Sequence, residues 1–226
     1  FDRTAGGRAH LILLCETQQG YQNLIKLCSA GFIEGYYYKP RIDMELLREH
    51  SEGLICTSAC LAGRVAKRLL RNDYEGARAT AAELKDIFGE DFYLEIQDHG
   101  LSEQKAIIPL IMSIAEELDI PLVATNDVHY LEREDAEMQD VVMCISMKKT
   151  IDDPNRLKME SDQSYLKSPE EMKALFPYCP EAVANTVKIA EKVTEPVFDL
   201  NEKCEPIRDK TLIPGYVPDN GQSAYD

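Results

Sequence analysis

The strongest constraint on the fold is an alternation of short apolar segments with longer amphipathic ones. Four segments have the length and composition of buried strands, at residues 10–16, 53–59, 92–97 and 120–125. Helical patterns separate them, and in the clearest of these, residues 73–89, apolar side chains recur every three or four positions. Because strands that alternate with helices are usually joined by crossover connections, this order predicts an α/β fold with a mainly parallel sheet.

Further helices are predicted from periodicity and from start signals. They cover residues 20–30, 42–50, 61–71, 102–118, 132–148 and 180–193, and another begins at Ser168. Ser168, Pro169 and Glu171 occupy the N-cap, first and third positions of a typical helix start. Ser102 is predicted to cap the helix that follows it. Pro109 lies inside that helical pattern, where it either kinks the helix or marks its true start.

Composition limits the class of protein. The chain has 226 residues, 44% of them hydrophobic, which is ordinary for a globular protein. It contains no apolar run long enough to span a bilayer and no N-terminal secretion signal, so we expect no membrane association. The chain begins with Phe rather than Met and has no clear stop at either end, which favours a piece of a longer protein.

The cysteine pattern and the net charge indicate the redox compartment of the protein and limit how it can bind nucleic acid. The seven Cys contain no C-x-x-C pair, which argues against a zinc ribbon and a disulfide framework and favours reduced thiols in a cytoplasm. The 40 acidic residues outnumber the 25 basic residues, for a net charge of -15. A protein that holds nucleic acid by itself normally shows a basic face, so tight DNA binding by this piece alone is not expected.

The segment 121–130, PLVATNDVHY, carries the most distinctive polar pair. An apolar strand ends in turn residues, and Asp127 and His129 follow at positions i and i+2. In an extended chain two such side chains point the same way, so a carboxylate and an imidazole can converge on one point. Both groups suit zinc and other divalent metals. The alternative is a surface Asp and a His that are hydrogen-bonded in a turn.

Two further strand ends carry candidate functional groups. Cys60 comes directly after the second strand and before a predicted helix, where a helix N-terminus favours the thiolate. The alternative for Cys60 is a small buried apolar residue. Asp98 and His99 follow the third strand and repeat the combination of a carboxylate and an imidazole.

Several segments together resemble a known family. The chain is similar, in order and over nearly everything up to Val197, to the PHP domain of the bacterial replicative DNA polymerase III alpha subunit. The resemblance is carried by HLILLCETQQGYQNLIKLCSAGF, KPRID, EGLICTSACLAGRV, FYLEIQDHGL, IPLVATNDVHYL, DDPNRLKMESDQSYLKSPEEM and PEAVANTVKIAEKV. It implies a partial, distorted β/α barrel over residues 1–197, followed by a linker toward the polymerase palm at residues 198–226.

The resemblance also implies a metal centre. Such domains bind divalent metal ions, with zinc expected and manganese or magnesium as alternatives. The family pattern places metal ligands at four positions of this chain, His10, Cys60, Asp127 and His129. His99 fits the family sequence but is not a usual ligand, and it is expected either to support the ligands or to be structural. The family's first ligands lie upstream of residue 1, so we expect this piece to be inactive by itself.

Three functions follow from this resemblance. The first is a PHP domain with a metal-dependent 3′-to-5′ exonuclease, inside a DNA-directed DNA polymerase that binds DNA and other replicase subunits. The second is a free-standing PHP phosphoesterase that acts on small phosphate esters. The third is a scaffold domain without catalysis. The segment from Met159 to Val193 favours a polymerase over a small phosphatase.

Overall fold

The computed structural model describes residues 7–194, and within this range four strands form one sheet. Each strand lies inside the segment predicted for it. The bounds are β1 Ile12–Cys15, β2 Leu54–Thr57, β3 Phe92–Ile96 and β4 Leu122–Ala124. The predicted α/β class is therefore confirmed. The four-stranded sheet is consistent with part of a PHP-type β/α barrel. The predicted linker, residues 198–226, lies outside the described residues.

Eight α-helices occur in the described range. They are α1 Gln18–Ile33, α2 Met44–Glu49, α3 Arg64–Leu69, α4 Tyr74–Phe88, α5 Ser102–Leu118, α6 Ala136–Met147, α7 Pro169–Leu175 and α8 Pro180–Lys192. Short 3-10 turns at Gly89–Asp91 and Arg133–Asp135 precede β3 and α6. The predicted helices are all present, although the one expected over residues 61–71 is limited to α3.

Two details of the helix ends differ from or complete the prediction. Pro109 lies inside α5, so the helix does not begin there. Ser102 is not the cap, because its hydroxyl donates to the carboxylate of Glu103 and Leu101 occupies the N-cap position. At α7 the predicted capping box is confirmed: the Ser168 side chain accepts from the Glu171 amide, and the Glu171 side chain accepts from the Ser168 amide.

The direction of β1 is the main difference from the predicted sheet. The strand order is β1-β2-β3-β4; β2, β3 and β4 run parallel, but β1 is antiparallel to β2. The end of β1 and the start of β2 are tied together, since the Glu16 amide donates to the Gly53 carbonyl. A Cβ on Gly20 would lie 1.7 Å from that carbonyl oxygen, so only glycine allows α1 to begin so close to Gly53. A pattern of strands and helices does not encode this contact.

The two faces of the sheet have different partners. Successive side chains of a strand point to opposite faces, and on one face the strands join the main core with α3, α4 and α5. On the other face Ile55, Tyr93 and Val123 form a smaller cluster with Ile189 of α8. Within the described residues no helix combines the length and the apolar character that a membrane crossing requires.

Candidate metal centre

The candidate ligands lie at one edge of the sheet. The strands β2, β3 and β4 are parallel, and three residues beyond their ends stand Cys60, His99 and Asp127 respectively. His10 precedes β1, and the antiparallel register pairs Ile12 with Thr57, the last residue of β2. The start of β1 therefore lies beside the end of β2. A parallel β1 would have placed His10 at the opposite edge, so its direction decides whether His10 belongs to the site.

His10 and Cys60 form the first pair of candidate ligands. The His10 Nδ1 atom lies 3.7 Å from the Cys60 Sγ atom, and the His10 amide donates to the carbonyl of Ala62 at 2.9 Å. The backbone at Ala59 has a φ of +63°, a left-handed conformation that is unusual for a residue other than glycine. Cys60 lies, as predicted, on the turn between β2 and α3. Because α3 begins only at Arg64, the thiol is not at the helix N-terminus, and that part of the prediction is wrong.

Asp127 and His129 form the second pair. The His129 Nε2 atom is 3.5 Å from Asp127 Oδ1, and both side chains are over 40% exposed, at 42% and 44%. Asp127 has a φ of +42°, a conformation that Asp and Asn tolerate better than most residues. Left-handed residues thus occur beside both candidate pairs, as is common at functional sites.

The loop that carries the second pair is held by a later segment, residues 163–167. The His129 amide donates to the Ser164 carbonyl at 2.8 Å, and the Leu166 amide donates to the Leu131 carbonyl at 3.1 Å. The Asn126 side-chain amide donates to the carbonyls of Gln163 and Tyr165. Asn126 is buried, so these bonds fix the backbone immediately before Asp127.

His99 is buried, and both of its ring nitrogens are used within the protein. The Gln104 side-chain amide donates to Nδ1 at 2.8 Å, so Nδ1 carries a lone pair. Nε2 then carries the proton and donates to the Asn126 carbonyl at 2.7 Å. Because neither nitrogen has a lone pair left for a metal ion, the geometry fits the predicted supporting role of His99.

A prediction follows for His99 in the full-length protein. We expect His99→Ala to weaken metal binding about 10- to 100-fold without changing the number of ions bound, because it releases the Asn126 backbone but removes no ligand. Competition with a metal chelator measures the affinity, and His50→Ala serves as the control. Loss of one bound ion in His99→Ala would instead identify His99 as a ligand.

The four candidate ligands form two pairs rather than one cluster. Within residues 7–194 no group of three or more His, Cys, Asp or Glu side chains is arranged to hold a metal ion. Zinc in proteins usually takes three or four ligands, so either pair alone falls short of a site. The donor chemistry nevertheless fits, because nitrogen and sulfur in one pair and oxygen and nitrogen in the other are ordinary zinc ligands. That both pairs converge on metal ions stays a prediction.

Sequence reasoning missed a buried carboxylate beneath this edge. Glu95 of β3 is only 7% exposed, and it accepts hydrogen bonds from the hydroxyls of Thr57 and Thr125 and from the Gln97 amide. Its own amide donates to the Ser58 hydroxyl at 2.8 Å. The strands β2, β3 and β4 are thus joined by side chains where they end. Glu95 and Gln97 at i and i+2 in an otherwise apolar strand were the available signal.

The same carboxylate influences a neighbouring thiol. Burial first, and then the negative charge of Glu95, raise the pKa of Cys56 well above its ordinary value. Cys56 therefore stays protonated at neutral pH and packs as an apolar core residue. Cys60 has a different environment from Cys56. Cys60 is only half-buried, and it lines a cavity of about 20 Å³ together with Glu95, Gln97 and Gln104.

Comparison with known proteins shows similarity to one protein family and to bacterial polymerase subunits. Residues 2–99 match the PHP domain family. The chain is 51% identical over 197 residues to the DNA polymerase III subunit alpha of Treponema pallidum, an alignment that covers 85% of this chain and 17% of that protein. It is 49% identical over 183 residues to the subunit of Borreliella burgdorferi, covering 81% of this chain and 16% of that protein.

A more distant bacterial relative agrees. The chain is 44% identical over 188 residues to the DNA polymerase III subunit alpha of Thermus aquaticus, an alignment that covers 82% of this chain and 15% of that protein. The chain thus spans between 15% and 17% of the length of these three relatives.

Proposed function

Since this chain belongs to the PHP-domain region of the DNA polymerase III alpha-subunit family, we propose that it forms part of a metal-dependent phosphodiesterase site. The site would remove nucleotides from the 3′ end of a DNA strand. The single observation that carries the proposal is the sheet edge to which the two donor pairs are brought, His10 with Cys60 and Asp127 with His129.

The residues of this chain have distinct tasks in the proposed site. His10, Cys60, Asp127 and His129 would hold divalent metal ions, with zinc expected and manganese or magnesium as alternatives. When bound, such ions supply a hydroxide near neutral pH and stabilise the charge of the leaving oxygen. The exposed side chains of Asp127 and His129 leave room for a substrate, whereas buried His99 holds the loop before Asp127 in place.

The wider setting is part of the same proposal. The full-length protein would be a DNA-directed DNA polymerase in a bacterial cytoplasm, and it would hold DNA through its other domains and bind further replicase subunits. The acidic character of this chain agrees with a protein in which other domains bind the DNA. A metal site needs anionic ligands, while duplex binding needs basic surface elsewhere.

A scaffold domain without catalysis is the second candidate. It is favoured by the absence, within the described range, of three donors around one point. A free-standing small-molecule phosphatase is less favoured, because the similarity to polymerase subunits covers more than 80% of this chain in these relatives, far beyond the segment 2–99.

Cobalt substitution tests the proposal. We expect full-length protein loaded with Co²⁺ to show a sulfur-to-cobalt charge-transfer band, and we expect Cys60→Ser to lose that band because the thiolate is a direct ligand. Cys28→Ser, which changes an exposed thiol on α1, is the matched control and should keep the band. A wild-type protein that binds no transition metal would favour the scaffold instead.

A further inference from the structure

Lys167 places a positive charge beside the loop of the second pair. Its Nζ atom donates to the Asn126 side-chain oxygen at 3.1 Å and to the Gln163 carbonyl, and it lies 4.1 Å from the centre of the Tyr165 ring. Asn126 directly precedes Asp127 in the chain. All three contacts of the ammonium are therefore with neutral groups at the candidate site.

Two arginines of residues 131–168 are paired with carboxylates. Arg133 pairs with Asp162 at 2.7 Å, and Arg156 forms a two-bond pair with Asp140. Lys167 has no ion pair with a described residue. Its positive charge therefore remains available to an anion beside the loop that carries Asp127.

The position of Lys167 is also well defined. Ser164 and Leu166, which both precede Lys167 in the chain, bond to the loop through the amide of His129 and the carbonyl of Leu131. Partial burial lowers the pKa of Lys167, although nearby carboxylates, Glu171 first among them, oppose this effect. Glu171 itself is engaged by the Tyr165 hydroxyl and the Ser168 amide. An ammonium that is already partly desolvated and held in place binds an anion with little further ordering.

We propose that Lys167 binds the phosphate group of the DNA substrate, at a non-bridging oxygen of the terminal phosphodiester. This assignment rests on the proposed function and adds a substrate-binding residue outside the metal ligands. Lysine binds phosphate as a compact point charge, and phosphate is the ligand that this charge fits at a site for phosphodiesters. The bond to Asn126 keeps the ammonium next to the backbone that carries Asp127.

A purely structural role is the competing explanation, because Lys167 also satisfies the Gln163 carbonyl. The two roles differ in what they change. A structural lysine affects the loop, and so the metal content and the rate of the chemical step. A phosphate-binding lysine affects KM and its dependence on salt, since each phosphate contact on a single strand adds about 0.7 to the slope of log affinity against log salt.

The experiment compares three variants of the full-length protein, namely Lys167→Met, Lys167→Arg and the control Lys173→Met. Lys173 is an exposed lysine of α7, so its variant has the same net charge as Lys167→Met. The substrate is a primer with a 3′ mismatch. Metal content, kcat, KM and the salt dependence of KM are measured for each protein.

We expect Lys167→Met to raise KM about 10-fold, an effect of the size typical for a charged hydrogen bond, and to reduce the salt slope by about 0.7. Its kcat and metal content should stay near those of the wild type, and Lys167→Arg should recover most of the affinity. If Lys167→Met behaves like Lys173→Met, the assignment is wrong. A loss of metal or of kcat at unchanged KM would overturn it in favour of the structural role.

Failure of the proposed function is a different outcome from failure of this assignment. A metal-loaded wild-type protein that removes no 3′ nucleotide overturns both. An active wild type whose KM does not depend on Lys167 overturns the lysine assignment alone.

Discussion

Under the proposed function, the Asp127→Asn variant of the full-length protein is expected to lose mismatch removal by about 100-fold or more while it keeps the DNA polymerase activity proposed for that protein. If Asp127 binds metal as proposed, its loss removes several kcal/mol of the stabilisation that bound metal ions give to a transition state. Each 1.36 kcal/mol corresponds to a factor of ten in rate. Metal content should fall in parallel. The assay measures shortening of a 3′-mismatched primer and metal analysis of the same sample.

Substitution by Asn removes the carboxylate charge of Asp127 without disturbing its backbone conformation. Asp127 has a φ of +42°, and Asn adopts this conformation about as readily as Asp, whereas Ala does not. Asp152→Asn is the matched control, because Asp152 is exposed and lies outside the site. Exonuclease activity and metal content equal to those of Asp152→Asn would show that Asp127 is not a ligand.

Glu95→Ala is expected to have the largest effect on stability. The substitution leaves the Thr57 and Thr125 hydroxyls and the Gln97 amide, all at buried or half-buried positions, without their shared acceptor. Loss of such a buried acceptor costs about 3 kcal/mol. We therefore expect amide hydrogens of β3 to exchange about 100-fold faster, because local opening of the sheet becomes easier.

Hydrogen exchange followed by mass spectrometry measures this effect in the full-length protein. Glu95→Gln keeps an acceptor oxygen and should show a smaller change, while Glu116→Ala, at an exposed position of α5, should show none in β3. If β3 exchanges at the wild-type rate in Glu95→Ala, the carboxylate does not hold the strand ends together.

Much of the fold could be predicted from local patterns. Apolar runs bounded by turn residues located all four strands, and the Ser168 capping box located the start of α7, because both depend on neighbours within a few residues. The extent of α3 could not be predicted in this way. The turn at Cys60 and Gly63 delays its start, and that turn depends on a close approach of Gly63 to the Ser58 carbonyl.

Some residues of the candidate site could likewise be predicted from local sequence, and others could not. The residue types and their i, i+2 spacing pointed to Asp127 and His129 directly, and the resemblance to a family added His10 and Cys60. Local pattern did not reveal Lys167, which follows Asp127 by 40 positions in the chain and reaches the site only through the pairing of residues 163–167 with the preceding loop.

The sequence by itself determined which segments become strands and helices, and which side chains have the chemistry to bind metal ions, because these properties reside in single residues and short periods. Only the tertiary structure decided that β1 runs antiparallel and so brings His10 to the edge where Cys60 lies. It also decided that both nitrogens of His99 are occupied and that Glu95 joins three strands. These features arise from contacts between distant segments, and such contacts form only when the whole sheet assembles.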